Sequence, residues 1–363
     1  MSSAGEVFHS KCLACGGLAE FKPGAEALEC SHCGNTMPIE KIQTEIVENN
    51  FEEFIQQFKA QKKSDNENPV QAIKCKSCGA ETTFPENITS WDCAYCGTPL
   101  VLKESVLEHV IKPQYLLPFK FGRKETEEKF RKWVHGLWFA PNDLKLIAAQ
   151  SKDKLLGVYV PYWTFDFDTT TQYTGMRGEY YYETQTYRDS SGSTRTRQVR
   201  QTRWYPPQSG TIHQVFDDIL VCASKTIPET LKKELNNWDK ENLQPVRPEY
   251  MAGFISEIYS VQPEEGLNHA KESIDSQIHI GICNDIGGDT QRVLSKNTHF
   301  NSITFKHILL PVWVSSYRYN GKTYRFVVNA RTGRVHGERP WSVVKISLLF
   351  IIILIIIWLL VLL

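Results

Sequence analysis

Hydrophobic positions change period several times along this chain, and each change marks an element. Between residues 44 and 63, Ile46, Val47, Phe51, Phe54, Ile55 and Phe58 recur at helical spacing, which predicts an amphipathic helix. Residues 64–69, SDNENP, read as a hinge. Residues 123–138 repeat the helical pattern with Phe130, Trp133, Val134 and Leu137 on one face, and Trp138-Phe139-Ala140-Pro141 ends it. A short helix over 142–149 is expected to follow. From Gly157 the period becomes two. GVYVPYWTFDFDTTTQYTG alternates aromatic and polar residues, which is strand behaviour. Residues 178–205 then predict a long hairpin with its turn at 189–193. Beyond Tyr187 both of its faces are polar, so it should project from the core. Strand character continues over 211–223. Helices are expected at 228–238, at 248–260 and from Pro263 to about Asn284. Strands return at 290–299 and 303–318. A closing hairpin turns at Asn320-Gly321, a type I′ signal, and turns again at Thr332-Gly333. GVYVPYWTFDFD and HILLPVWVSSYRY are alike, each a strand carrying Pro-x-Trp, which suggests two related β-modules.

The last pattern is an unbroken one. Residues 346–363 read ISLLFIIILIIIWLLVLL, with no charge and only Ser347 polar. At ~1.5 Å per helical residue the run spans roughly 27 Å, close to a ~30 Å hydrocarbon core. A buried core helix keeps a polar face and this run has none, so it reads as a transmembrane tail anchor. Arg331, Arg334, Arg339 and Lys345 precede it against Glu338, and no apolar signal region opens the chain. The expected localisation is the cell membrane, single-pass, with the bulk of the chain cytoplasmic.

Charge sharpens this picture only by region. The 41 basic and 41 acidic side chains cancel. Residues 1–112 carry 10 basic and 16 acidic groups, and the remainder carries 31 and 25. The acidic part is also the cysteine-rich part. Cys12/Cys15 and Cys30/Cys33 form two Cys-x-x-Cys pairs with fourteen residues between them. Cys75/Cys78 and Cys93/Cys96 repeat that spacing 63 residues later without a gap. Lys11 matches Lys74, Gly16 matches Gly79, Phe21 matches Phe84 and Gly34 matches Gly97, so the segment is duplicated. Two knuckles of this kind supply four thiolates in a tetrahedron, which suits zinc, with iron as the chemical alternative. Ribbons of about thirty residues are too short for a self-sufficient core, so metal should decide whether they fold. Two structural zinc ions are expected, and four thiolates leave no open position for catalysis. Cys222 and Cys283 remain as buried, inert thiols.

Candidate chemistry outside the cysteines is sparse. Gly321-Lys322-Thr323 lacks the upstream glycine of a phosphate loop, since Ser316 stands there. No Gly-x-Ser-x-Gly, His-Glu-x-x-His or dinucleotide fingerprint occurs, and no catalytic residues or small-molecule substrate are assigned. The predicted hairpin carries Arg188, Arg195, Arg197, Arg200 and Arg203 among Tyr187, Trp204 and the Tyr180–182 run. Basic residues interleaved with aromatics can meet bases and phosphates, headgroups or a protein partner.

The paired Cys-x-x-Cys-Gly ribbons, the Trp138-Phe139-Ala140-Pro141 and GVYVPYW motifs and the YRYNGKTY hairpin resemble a bacterial double zinc-ribbon, membrane-associated family. Its members are often labelled primosomal replication helicase-like. This chain has no motor motifs, so only the eight cysteine positions carry over, as zinc ligands.

The reading is an α+β chain with two small four-cysteine zinc ribbons, a body with long antiparallel hairpins and one C-terminal transmembrane helix. The expected boundaries are 8–40 for ribbon 1, 41–70 for a helical linker, 71–104 for ribbon 2, 113–340 for the body and 342–363 for the anchor. The expected function is a non-enzymatic, membrane-anchored adaptor that presents an interaction surface to a cytoplasmic protein, such as a peripheral membrane or envelope-stress protein. The alternatives are a membrane-tethered nucleic-acid-binding protein linked to replication and an enzyme using the body.

Overall fold

The computed structural model describes residues 10–40, 46–61, 70–83, 90–101, 106–108, 110–144, 155–188, 190, 192–235 and 237–362. Its centre is a pair of antiparallel strands, β1 (Leu156–Arg188) and β4 (Thr290–Tyr319). They stay paired from Leu156 opposite Val314 to Gly178 opposite Thr290. At ~3.3 Å per residue this ladder has a contour length of roughly 75 Å. Two bulges, after Asp168 and after Thr174, interrupt its register. On its other edge β1 pairs in succession with Ile255–Ser256 in parallel, then antiparallel with β3 (Gln208–Cys222) and β2 (Thr194–Trp204). The outer edge of β4 takes Tyr115–Leu116 in parallel and β5 (Lys322–Asn329) antiparallel. With its helices this is a mixed α+β architecture.

The composition of β1 explains why one strand can be so long. Residues 157–165 are apolar or aromatic with few exceptions and are buried on both faces. From Phe165 to Gly175 only the odd positions are buried, so one face is covered and the other is wet. From Glu179 onward both faces lie open to solvent. The strand therefore passes from the middle of a sandwich, through a half-covered sheet, into a free two-stranded ribbon. The ribbon starts nine residues before the point at which the sequence becomes polar on both faces.

The two Pro-x-Trp strands are neighbours, related by a local pseudo-two-fold at the pair Val160 and Leu310. The hydrogen bonds repeat across it. Trp163 Nε1 donates to the Val261 carbonyl at 2.9 Å, and Trp313 Nε1 to the Phe121 carbonyl at 2.9 Å. The Ala223 N–H donates to the Pro161 carbonyl, and the Ala330 N–H to the Pro311 carbonyl. Each module also lends a short strand to the other. Tyr115–Leu116 leads into helix α2 (Arg123–Gly136), and Ile255–Ser256 leads into helix α3 (Pro263–Ile286). The order strand, helix, Pro-x-Trp strand, return strand thus occurs twice, and the halves interlock by exchanging their first strands.

Alternation sends the two faces of the ladder to different covers. Val158, Val160, Tyr162, Ile308, Leu310 and Val312 pack against the second cysteine ribbon and against Leu231, Leu235 and Trp238. On the opposite face Tyr159, Leu309 and Trp313 pack against the first ribbon and α2. Trp163, Phe165, Phe167 and Phe305 pack there against α3 and helix α1 (Phe51–Gln61). Helix α3 turns Ala270, Ile274, Ile278 and Ile282 inward at three- and four-residue spacing. Each buried isoleucine contributes on the order of 1.5–3 kcal/mol. Gly266 lets this helix approach, because a Cβ there would lie 2.7 Å from the Trp163 ring.

Several expected boundaries shift. The helix expected over 44–63 begins only at Phe51. Asn49–Asn50 instead pair as strand with Thr304 and Phe305, and Asn50 Oδ1 accepts the Glu53 N–H at 3.1 Å as an N-cap. The helix expected over 248–260 stops at Met251, where Gly253 takes φ +87° and Ile255–Ser256 are claimed by β1. The helix expected over 228–238 is Glu229–Glu234. The strands at 290–299 and 303–318 are one strand. The turn at Asn320-Gly321 has φ +47° and +76°, as type I′ requires. Residues 62–69 and 145–154, and residues 189 and 191 of the expected turn at 189–193, lie outside the described residues.

The last helix, α4 (Val343–Leu362), is long and apolar enough to cross a membrane. Over Val343–Leu360 its mean hydropathy is 3.1 and none of it is buried.

Candidate metal centres

Four knuckles build two sites by one repeated hydrogen-bond pattern. In each, the N–H of the glycine after the second cysteine donates to the carbonyl of the first: Gly16 to Cys12, Gly34 to Cys30, Gly79 to Cys75 and Gly97 to Cys93, all at 2.8–2.9 Å. These glycines take φ between +69° and +77°, the left-handed region closed to most side chains. The turn aims both sulfurs of a knuckle to one side. Antiparallel strands Leu18–Lys22 and Ala27–Cys30 then bring the two knuckles of the first ribbon together.

The result is two groups of four thiols, Cys12, Cys15, Cys30 and Cys33, and Cys75, Cys78, Cys93 and Cys96. Within each group all four sulfurs lie within 4.8 Å of one another, and the closest approaches are 3.6 Å. A disulfide would need about 2.05 Å. Four sulfurs about 2.3 Å from a tetrahedral zinc would stand roughly 3.8 Å apart, so donor set and spacing fit that ion. The thiols also disturb each other's ionisation. The amides of Ala14 and Cys15 hold Cys12 down to about 6. The Gly17 amide lowers Cys15, but the thiols of Cys33 and Cys30 outweigh it and push it up to about 12. In the second group hydrogen bonding with Cys93 holds Cys78 down to about 5, and the same contact drives Cys93 far up. Four such thiols ionise together only around a cation. His32 is exposed inside its knuckle and joins neither group.

Both ribbons are built into the body. Phe21 of the first lies edge-on to Tyr250 and Phe254, and its N–H donates to the Ala252 carbonyl at 3.0 Å. In the second, Tyr95 stands between Cys93 and Cys96 of the four-thiol group, and its ring is buried. The Tyr95 hydroxyl donates to Glu257 at 2.5 Å, and Ser224 and Thr226 hydroxyls donate to the same carboxylate at 2.6 and 2.9 Å. Burial pushes Glu257 up to about 7 against these three donors. The Cys96 sulfur lies 3.1 Å from the Thr98 hydroxyl.

A third group holds Glu48, Asp166, Asp217 and Asp218 close together, at a bulge where β3 slips against β1 between Phe165 and Phe167. Asp218 takes φ +51° there. The buried ammonium of Lys306 reaches Glu48 at 2.7 Å, Asp218 at 2.8 Å and Asp166 at 4.0 Å, and Lys240 reaches Asp218 at 3.2 Å. Burial and the neighbouring Glu48 push Asp166 up to about 7. Burial would raise Glu48 too, but hydrogen bonds with Asp166 and Lys306 hold it down to about 2. This group is an ion-pair hub that ties residues 46–50 to the sheet. Sequence reading missed it and missed Glu257. The one available signal was Lys306, a charge inside the apolar run TFKHILLPVW. Next to it His307 is buried and neutral, its Nδ1 2.8 Å from the Ile111 carbonyl, and burial lowers it to about 4.

The predicted arginine residues and aromatics lie on the free ribbon of β1 and β2. Register divides them. Arg195, Arg197 and Arg203 share one face with Tyr181 and Tyr187, and Arg188 and Arg200 share the other with Tyr180, Tyr182 and Trp204. The guanidinium groups lie over rings: Arg200 over Tyr180 at 4.3 Å, Arg203 over Tyr181 at 5.4 Å and Arg197 over Tyr187 at 5.5 Å. Arg292 covers Trp204, which is half-buried. Of the remaining cysteines, Cys222 and Cys283 are partly exposed rather than fully buried, and burial pushes Cys222 up to about 11.

Comparison with known proteins adds a relative and no assigned chemistry. The chain is 29% identical over 351 residues to YdjG of Bacillus subtilis strain 168, described as an uncharacterized protein, covering 95% of this chain and 93% of that one. No protein-family model matches the chain, and no solved structure matches it. Of the expected double zinc-ribbon family, two four-cysteine sites that fit zinc ribbons are present, and no family model adds to them.

Proposed function

We propose that this chain is a membrane-anchored scaffold that carries a protein-binding arm on a body stapled by two structural zinc ions, and that it performs no catalysis itself. The observation that carries this reading is the free ribbon of β1 and β2. Beyond the buried Gly178 and half-buried Trp204 at its base, the two strands, residues 179–188 and 194–203, are held out with both faces largely in solvent. Past that base the ribbon adds no core, and isolated two-stranded ribbons are marginal in water. Its strand edges are also open to pairing with another chain. Five arginines against Glu179 and Glu183 favour a protein partner with an acidic face.

Other observations support the remaining parts. Helix α4 would expose an uninterrupted apolar surface to water, which a bilayer covers. The basic residues before it favour a body on the cytoplasmic side. Glu257, Asp166 and His307 are engaged by internal partners and line neither the recess at residues 134–144 nor that at 172–174, and Tyr173, which does line the second, donates its hydroxyl to Asp285 at 2.5 Å. Arg200, Arg203 and Arg197 each occupy one face of Tyr180, Tyr181 and Tyr187, which reduces the ring faces open to stacking bases, while Tyr182 stays 65% exposed.

The test is purification from native membranes after crosslinking, split into nuclease-treated and untreated halves. A second chain has residues 179–203 replaced by Asn-Gly, which closes the hairpin at the Gly178–Trp204 pair. The proposal expects a protein partner that survives nuclease and is lost from the shortened chain. Partners lost on nuclease treatment, or retained without the arm, contradict it.

A further inference from the structure

Helix α4 does not leave the body on a loose tether. The Ser342 N–H donates to the Phe139 carbonyl at 2.8 Å. The Lys345 ammonium donates to the carbonyls of Trp138 at 3.1 Å and Ala140 at 2.7 Å. The rings of Phe139 and Trp341 are 6.4 Å apart, and Arg339 lies over Trp341 at 4.4 Å. The loop of residues 138–141 is therefore stapled to the first turn of α4. The staple is Lys345, the last charge before the apolar run.

That contact fixes a depth. If α4 spans a bilayer, as proposed above, Lys345 marks the headgroup level, and the loop bonded to it cannot lie far from that level. Trp138, at its tip, is 83% exposed, and Trp341 beside it is 56% exposed. Tryptophan concentrates at this level because its ring is apolar and its N–H is polar. The surroundings are basic. Arg131, Lys132 and His135 are exposed on the last turns of α2, with no acidic residue between Lys129 and Asn142. Arg334 is exposed next to Gly333, whose Cβ position would lie 2.6 Å from the Lys129 side chain. The nearby carboxylates are engaged: Glu338 accepts the Arg325 N–H at 3.0 Å, and Asp143 the Tyr319 hydroxyl at 3.3 Å. Complementing the helix C-terminus accounts for Lys132 and His135. It does not account for an open indole, nor for Arg334 and Arg339 on another element.

We propose that the loop of residues 138–141 and the C-terminal end of α2 form a second, interfacial membrane contact, seated on anionic phospholipid headgroups with Trp138 at the depth of Lys345. This rests on α4 being a membrane span. Two features select a lipid surface as occupant: positive charge around an aromatic tip, and continuity with the span. Seated at two points, the body cannot swing on its anchor. Strand β4 runs from this region, where Tyr317 and Tyr319 pair with β5, along β1 to the base of the arm at Thr290 opposite Gly178, so the arm is held away from the bilayer.

Photocrosslinking of the full chain in nanodiscs tests the contact. Trp138→benzoylphenylalanine reports the loop, Phe350→benzoylphenylalanine reports the span, and Val215→benzoylphenylalanine, exposed on β3, is the distant control. Lipid adducts are expected at 350 and 138 and not at 215. The yield at 138 should be at least about fivefold higher in phosphatidylglycerol than in phosphatidylcholine, and the combined change Arg131→Gln, Lys132→Gln and Arg334→Gln should abolish that preference. Adducts at 350 without adducts at 138 overturn the contact and leave the span. Adducts at neither overturn both. Equal yields at 138 in the two lipids, or adducts at 215 as strong as at 138, overturn an anionic interfacial seat.

Discussion

A single sulfur is a quarter of each proposed zinc site, and the two sites share no ligand. Cys75→Ser should therefore lower bound zinc from two ions per chain to one, read by elemental analysis, and Cys222→Ser should leave two. Structural zinc contributes roughly 10–16 kcal/mol of apparent binding energy in small ribbons, so the damaged ribbon should unfold. Glu257 makes a second residue-level prediction. Its carboxyl is raised from an ordinary 4.5 to about 7 by burial. Between those values the native chain binds more protons than the unfolded one. Stability should then fall as pH rises from about 4.5 to about 7, and the deficit, up to about 3 kcal/mol, persists above pH 7. Glu257→Gln keeps one acceptor oxygen for Ser224 and Thr226, turns an amide N–H toward the Tyr95 hydroxyl oxygen, and cannot ionise. Urea midpoints at pH 5 and pH 8 should differ less in that variant than in the parent. An unchanged difference would place the pH dependence elsewhere. The two four-cysteine groups were legible in the sequence because their Cys-x-x-Cys spacing is that of a metal knuckle. Glu257 and the Lys306 hub were not, because their partners are 31 to 258 residues away and no local pattern records such a pairing.

At the scale of elements, covered and uncovered strands should behave differently. Shortening the arm removes residues that bury little, so the thermal midpoint should move by no more than about 2 °C, the surface-substitution range. Ile278→Ala in α3 empties a buried position facing the sheet and should cost about 2–5 kcal/mol, lowering the same midpoint by several degrees. If the arm mattered more than Ile278, it would be packed and not free. Periodicity located α3 well, because its apolar positions repeat at helical spacing over six turns. It overran at 44–63 and 248–260. There strand pairing with β4 and β1 outcompetes helix propensity, a tertiary effect that local pattern cannot register. The Pro-x-Trp likeness did show two related modules. Their exchange of first strands is a pairing between segments some 190 and 100 residues apart in sequence, which a single chain does not display.

At the scale of the molecule, the ribbons cover opposite faces of the ladder formed by β1 and β4. Tyr95 and Phe21 enter its two cores from the two ribbons, and the ladder joins the end near α4 to the arm. A scaffold needs that rigidity, since a partner bound at the arm is positioned relative to the bilayer only if everything between is one body. Hydrogen exchange of the full chain in nanodiscs, before and after zinc is stripped by a chelator, tests this most directly. The account predicts that residues 157–165 and 305–314 lose protection together with both ribbons. A ladder that stays protected while the ribbons exchange freely would make them appendages and contradict it.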